Sequence, residues 1–260
     1  MPPKTEPGRP ARASARVFGT ARGCAGAAPG QAMVEFLVVL PLLLLLVLGT
    51  LQIAFILHAK VTLNYAAFEA ARAGSLNSAR MFFMESAVAR TLASLYTHAN
   101  NVTQYKNGRD RVRQQIDDGY VRIEVVNPGP GAFRDFGVMV GSDIVIPNDN
   151  LIYRGIKLGS ESSQTIQDAN VIKVQVYYCY ELIVPFVNKI MWAMMRYSPT
   201  DAMPPDMPLV DPKHRFGAPK SGTFAEDCVK DKYADNGYLG IPIRSQAIMR
   251  MQSAALSPGP

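Results

Sequence analysis

From Phe36 to Leu57 the chain runs for twenty-two residues without a charge. As a helix that run measures about 33 Å and matches the hydrocarbon core of a bilayer. Thr50 and Gln52 are its only polar side chains, and Pro41 in its first half removes one backbone hydrogen bond and should bend the helix. The pattern predicts one transmembrane helix over 31–58. The next stretch, "HAKVTLNYAAFEAARAGSLNSARMFFMESAVARTLASLY", lacks proline and is rich in helix formers, so a helical extension is expected over 59–97. Ala66, Ala67, Ala70, Ala71 and Ala73 form a small-residue surface, which reads either as a seat for another helix or as plain helix propensity. Gly74 and Ser75 mark a break or kink. Beyond them Met81, Met84, Val88, Leu92 and Leu95 recur at spacings of three and four, a stripe for a folded domain to cover.

After Tyr96 the period changes, and residues 98–260 are expected to form an exported α+β domain. "NVTQYKNGRD" is polar and reads as a loop; the glycosylation-like triplet at Asn101 is a chance match. In "YVRIEVV", Val121, Ile123 and Val125 alternate with polar neighbours, as in a half-buried strand. Asn127 to Gly131 reads as a turn cluster, and "FGVMVGSDIVI" as a weaker strand pair. The clearest strand is "VIKVQVYYCY", with Val174, Val176, Tyr178 and Tyr180 on one face. Strands joined by turns, with no helices between them, predict a small antiparallel sheet packed against the long N-terminal helix. "ELIVPFVNKIMWAMMRY" is too short and too broken for a second span; burial in the domain or a partner contact is expected there in preference to lipid. Residues 198–239 read as an irregular loop, "IPIRSQAIMRMQS" as a short helix, and the last residues as frayed.

Charge separates the ends of the chain. The net charge is +6, and the first thirty residues carry +4 of it through Lys4, Arg9, Arg12, Arg16 and Arg22 against Glu6. The sequence pI of about 9.2 therefore belongs mostly to a basic leader, 1–30, whose Pro, Gly, Ala and Arg content predicts disorder. The remainder has no basic face with stacking aromatics, which excludes a nucleic-acid partner. The leader's cations place the N-terminus in the cytoplasm. Cys24 lies in the leader, leaving Cys179 and Cys228 as an even pair. In an oxidising compartment a bridge between them is the natural use; two unrelated buried thiols are the other. No cysteine or histidine spacing suggests a metal, no cofactor motif is present, and only His58, His98 and His214 are available, so an enzyme is not expected.

The chemistry sits at the head of the apolar run, in "GQAMVEF". A secretory signal would place its cleavage site after the run, and a lipoprotein signal would not put Cys24 ahead of it. What remains is a basic leader, Gly30, four residues and Glu35 at the mouth of a hydrophobic helix. This resembles the signal of type IV prepilins and pseudopilins, cut on the cytoplasmic side after the glycine. Gly30 would then end the leader and Gln31 begin the mature chain. A glycine there suits a protease that needs extended backbone ahead of the helix. An ionised carboxylate in the membrane costs about 2.5–3.5 kcal/mol even on the lenient insertion scale, so Glu35 calls for a partner. Cleavage would make one, the new amine of Gln31 one turn away or on a neighbouring subunit. The plainer reading of Glu35 is an N-terminal capping carboxylate on an uncleaved anchor.

Ala32, Val34, Glu35, Phe36, Pro41 and the run "AAFEAARAG" from Ala66 to Gly74 narrow the likeness. Together they resemble the TadE-like family, pseudopilins of tight-adherence (Flp-type) pilus systems. The resemblance implies a single-pass inner-membrane protein with its C-terminal domain exported. It implies as partners a prepilin peptidase, other pilin or pseudopilin subunits, pilus assembly membrane proteins and the lipid bilayer. Glu35 and Phe36 would set subunit register. The long leader and large body point to a minor pseudopilin serving pilus or secretion assembly. The alternative is an unprocessed single-pass protein whose exported domain binds an envelope partner.

Overall fold

The computed structural model describes residues 29–99, 101–197, 224, 228 and 239–257; side chains of 29–32 and 195–197 fall outside that description. The expected disorder of the leader, apart from its last two residues, and nearly all of the 198–239 loop lie outside the described residues. The chain divides into a unit ending at Leu43 and a second beginning at Leu44.

In the first unit, helix α1 (Pro29–Leu76) begins. Proline suits the first turn, where its missing N–H would have no intrahelical partner. The helix runs on through Pro41.

The second unit holds the rest of α1 and the domain. α1 ends sooner than the expected helical extension. Ser78 and Ala79 both adopt φ +57°, the Ala79 amide closes on the Gly74 carbonyl at 2.9 Å, and α2 (Met81–Leu92) starts afresh. Met84, Val88 and Leu92 of the predicted stripe are buried, whereas Met81 is exposed. A 3-10 turn (Ala93–Tyr96) leads into α3 (Val102–Asp117).

Helix α3 corrects the loop reading of "NVTQYKNGRD". Asn101 is its N-cap, accepting from the Gln104 amide at 2.7 Å, which satisfies one of the amides a helix start leaves open. Its apolar contribution is small, chiefly Val112 with Ile116 beside it, so the periodic signal is weak. Packing fixes the helix instead: a Cβ on Gly108 would lie 3.0 Å from the Ala93 carbonyl oxygen. Gln115 Nε2 donates to the Tyr96 hydroxyl at 2.9 Å, and that hydroxyl lies 2.5 Å from the hydroxyl of Tyr178.

Two antiparallel three-stranded sheets follow. β1 (Val121–Asn127) pairs with β4 (Val171–Glu181), with Ile123 opposite Val176 and Val125 opposite Val174. Short helices α4 (Pro130–Phe136) and α5 (Ile166–Ala169) interrupt the strand order, contrary to the expectation of turns alone. Between them β2 (Val138–Val140) and β3 (Asp143–Ile146) form the weaker hairpin, turned at Gly141 with φ +65°; only glycine takes that conformation without strain. Helix α6 (Val187–Tyr197) follows β4.

The tail is not a helix. β5 (Gly240–Arg250) pairs with β4 over the whole strand, from Val171 opposite Arg250 to Glu181 opposite Gly240. The sheet order β1-β4-β5 leaves β5 at an edge, where Pro242 is tolerated. β6 (Ala255–Leu256) completes the second sheet against β3, and Ala255 is fully buried. The described residues are held as far as Ser257, whose amide donates to the Ile144 carbonyl at 2.8 Å; the last residues, expected to fray, lie outside the described residues.

One core joins these pieces. Ala66, Ala67, Ala70 and Ala71 of α1 are fully buried in the same cluster as Val174, Val176 and Tyr178 of β4 and Met84 and Val88 of α2. The alanine surface therefore packs on this chain's own domain. Large side chains there would hold the helix off the sheet; a Cβ on Gly74 would already lie 2.6 Å from Ile172 Cδ1.

Candidate membrane anchor and assembly site

Between Met33 and Leu43 α1 exposes nine large apolar side chains, in every direction around the helix. Burying one such side chain is worth about 1.5–3 kcal/mol, so nine left in water would cost on the order of 20 kcal/mol. That exceeds the ordinary net stability of a domain, about 5–15 kcal/mol. A helix apolar on all sides and covered by none of the described residues belongs in an apolar solvent. α1 is long and apolar enough to cross a membrane.

Gly30 and Gln31 lie in the first turn of α1. Gly30 is thus helical, not the extended residue expected ahead of the helix; Pro29 starts the helix one residue earlier. Gln31 and Glu35 are four residues apart on α1, about 6 Å along its axis, the spacing at which side chains on one face meet. Phe36 is exposed next to Glu35, and Pro41 sits within the helix.

The two polar residues of the apolar run find partners in different ways. Thr50 Oγ1 donates to the Val47 carbonyl at 2.8 Å, within its own helix. Gln52 is fully buried, and its Oε1 accepts from the Val184 amide at 2.8 Å. Gln52 therefore marks where the domain first grips α1, several residues before the charge-free run ends at Leu57. Further along, Lys60 Nζ donates to the Arg244 carbonyl, and Ser245 Oγ donates to Asn64 Oδ1 at 2.7 Å. Burial, and then the neighbouring Arg244 charge, hold the Lys60 pKa below that of an ordinary lysine. These contacts tie α1 to β5, and sequence reasoning missed all of them. Only Gln52, a lone amide in an apolar run, gave a signal.

The outer face of β4 carries Cys179, joined to Cys228 by a disulfide with Cα atoms 5.7 Å apart. Both are buried with Phe224, against Tyr120 and Tyr177. The Arg122 guanidinium lies 5.4 Å from the centre of the Phe224 ring, a cation–π distance. Among the described residues no group of three or more His, Cys, Asp or Glu side chains is placed to hold a metal ion. His58 and His98 are exposed and far apart in sequence, and His214 lies outside the described residues.

Anchor and domain define a class: a mixed α+β protein with one long apolar N-terminal helix that continues into the core of a two-sheet domain. Within that class, a family model described as TadE-like protein matches residues 30–72. The match starts at Gly30 and ends in the alanine-rich part of α1, the same stretch that carries the sequence resemblance. No curated protein and no solved structure matches the chain.

Proposed function

We infer that this chain is a membrane-anchored minor pseudopilin that takes part in assembling a tight-adherence pilus or a related secretion apparatus. The observation that carries this reading is the TadE-like match over residues 30–72, which begins at the glycine that a prepilin peptidase would recognise. On this reading the peptidase cuts between Gly30 and Gln31, and α1 is retained as the anchor. The leader's cations keep the N-terminus in the cytoplasm and the domain is exported across the inner membrane. Glu35 and the new amine of Gln31 then supply the charge pair that sets register between subunits. The chain's role is structural, with no catalysis assigned. The helical setting of Gly30 favours a second reading, an unprocessed anchor whose exported domain binds an envelope partner.

N-terminal sequencing of the protein from cells with and without the peptidase separates the two. A mature chain starting at Gln31 only when the peptidase is present supports the pseudopilin, and an intact Met1 in both strains overturns it. Gly30→Leu should block the conversion. Glu35→Ala should leave insertion intact, since it makes the span more apolar, and should lower pilus number; unchanged piliation would remove the register role.

A further inference from the structure

We propose that α6 and the loop before it form a second, interfacial contact with the lipid bilayer, in addition to the span of α1. The proposal rests on the reading of α1 as a membrane anchor.

Segment 182–194 has two faces of opposite fate. Leu182, Val184 and Val187 are buried, and Met191 and Trp192 are partly buried against the core. Ile183, Phe186, Ile190 and Met194 are exposed, Phe186 by 73 % and Met194 by 70 %. Ile190 and Met194 are four residues apart on α6 and share one side of it, and Phe186, at φ +65°, stands just ahead of the helix start. Four large apolar side chains exposed within this one short segment make a stripe unlike the scattered apolar residues of an ordinary surface.

The position of this stripe selects its occupant. The bond from the Val184 amide to Gln52 Oε1 sets the start of the segment level with Gln52 of α1. Leu51, Ile53, Phe55 and Leu57 around that level are exposed and apolar, the continuation of the lipid-facing run. Gln52 lies five residues before Leu57, about 8 Å inside the end of the run. Amphipathic helices at a membrane surface bury their apolar faces to a depth of about 5–10 Å. Lys189, exposed on α6, offers a cation to lipid phosphates. A bilayer deep enough to cover the exposed side chains of α1 at 51–57 thus also reaches Ile183 and Phe186.

Trp192 is the one tryptophan of the chain, so its fluorescence reports on α6 alone. The full-length protein would be reconstituted in vesicles of phosphatidylcholine and phosphatidylglycerol, with and without lipids brominated near the headgroup end of the acyl chains. Wild type and the double variant Trp192→Phe, Phe186→Trp would be compared. The expected result is loss of most emission from the tryptophan at 186 in brominated vesicles, a smaller loss from Trp192, and weak quenching by aqueous acrylamide. Equal emission in both vesicle types overturns the proposal: with strong acrylamide quenching the stripe faces water, and with none it is covered by protein. Wild-type Trp192 gives the same test if the double variant misfolds. Carbonate-resistant retention in the vesicles without bromine quenching overturns the α6 contact alone. Release by carbonate overturns the anchor along with it.

Discussion

Helix α1 uses two different alphabets. Up to Leu51 it is built from Leu, Val and Phe that point outward on all sides. From Gln52 to Ser75 it buries one stripe, Gln52, Ala59, Leu63, Ala66, Ala67, Ala70, Ala71 and Ser75, and leaves residues such as Val61, Tyr65 and Phe68 exposed. Lipid chains fill any shape, so a first part that crosses a membrane needs only apolar volume. A sheet has a fixed surface, so the second part needs small residues where the backbones approach. Side-chain size, more than hydropathy, distinguishes helix solvated by lipid from helix packed on protein.

The strongest way to break this contrast is to place charge on each part. Paired arginines at Leu44 and Leu46 should cost about 6 kcal/mol of insertion free energy and release the protein from membranes on carbonate extraction. Val61→Arg on the exposed side of the second part should leave extraction unchanged; equal effects would erase the distinction.

Next in size is the converse test. Ala70→Leu should lower domain stability by about 1–3 kcal/mol through overpacking, read by denaturant unfolding in detergent, whereas Leu44→Ala should leave the same transition in place. A smaller effect is expected at the boundary between the parts. Gln52→Leu makes the span more apolar yet leaves the Val184 amide without its acceptor, a loss of about 1 kcal/mol. Hydrogen exchange at that amide should accelerate while membrane retention holds.

The smallest effect lies away from α1 and controls for the others. Burial alone would raise the Asp135 pKa, but bonds from the hydroxyl and amide of Ser162, from the Glu161 amide and from the Ser160 hydroxyl hold it below the ordinary carboxylate range. A depressed carboxylate stabilises the fold above its unfolded pKa and ceases to do so as pH falls through the folded value. The protection factor of the Ser162 amide, with the intrinsic pH dependence of exchange divided out, should therefore fall in acid, and Asp135→Asn should remove that dependence without changing membrane retention.

How much of this was legible in the sequence depended on where each signal resided. The apolar run, β1, β4 and the hairpin at Gly141 carry their patterns locally, and they lie where those patterns put them. α3 and β5 do not. The polar segment of α3 is held by the Asn101 cap and by close approach at Gly108, information that resides in the neighbouring turn. β5 alternates only loosely, and its partner β4 lies about sixty residues earlier in the chain; proline at its third pair position weakens the strand signal further. At the candidate assembly site, the residue types and spacing of Gly30, Gln31 and Glu35 are visible in the sequence, whereas the helical start at Pro29 is not. Nor was the grip of the domain on Gln52.

The bond between Cys179 and Cys228 makes one face of the main sheet dependent on the redox state around the chain. Thiols in a reducing cytosol do not stay paired, so Phe224 has its covalent tether to β4 only where the surroundings are oxidising. On the proposed reading, in which the domain is exported, closure of that bond is a postmark, recording on the molecule itself that it has crossed.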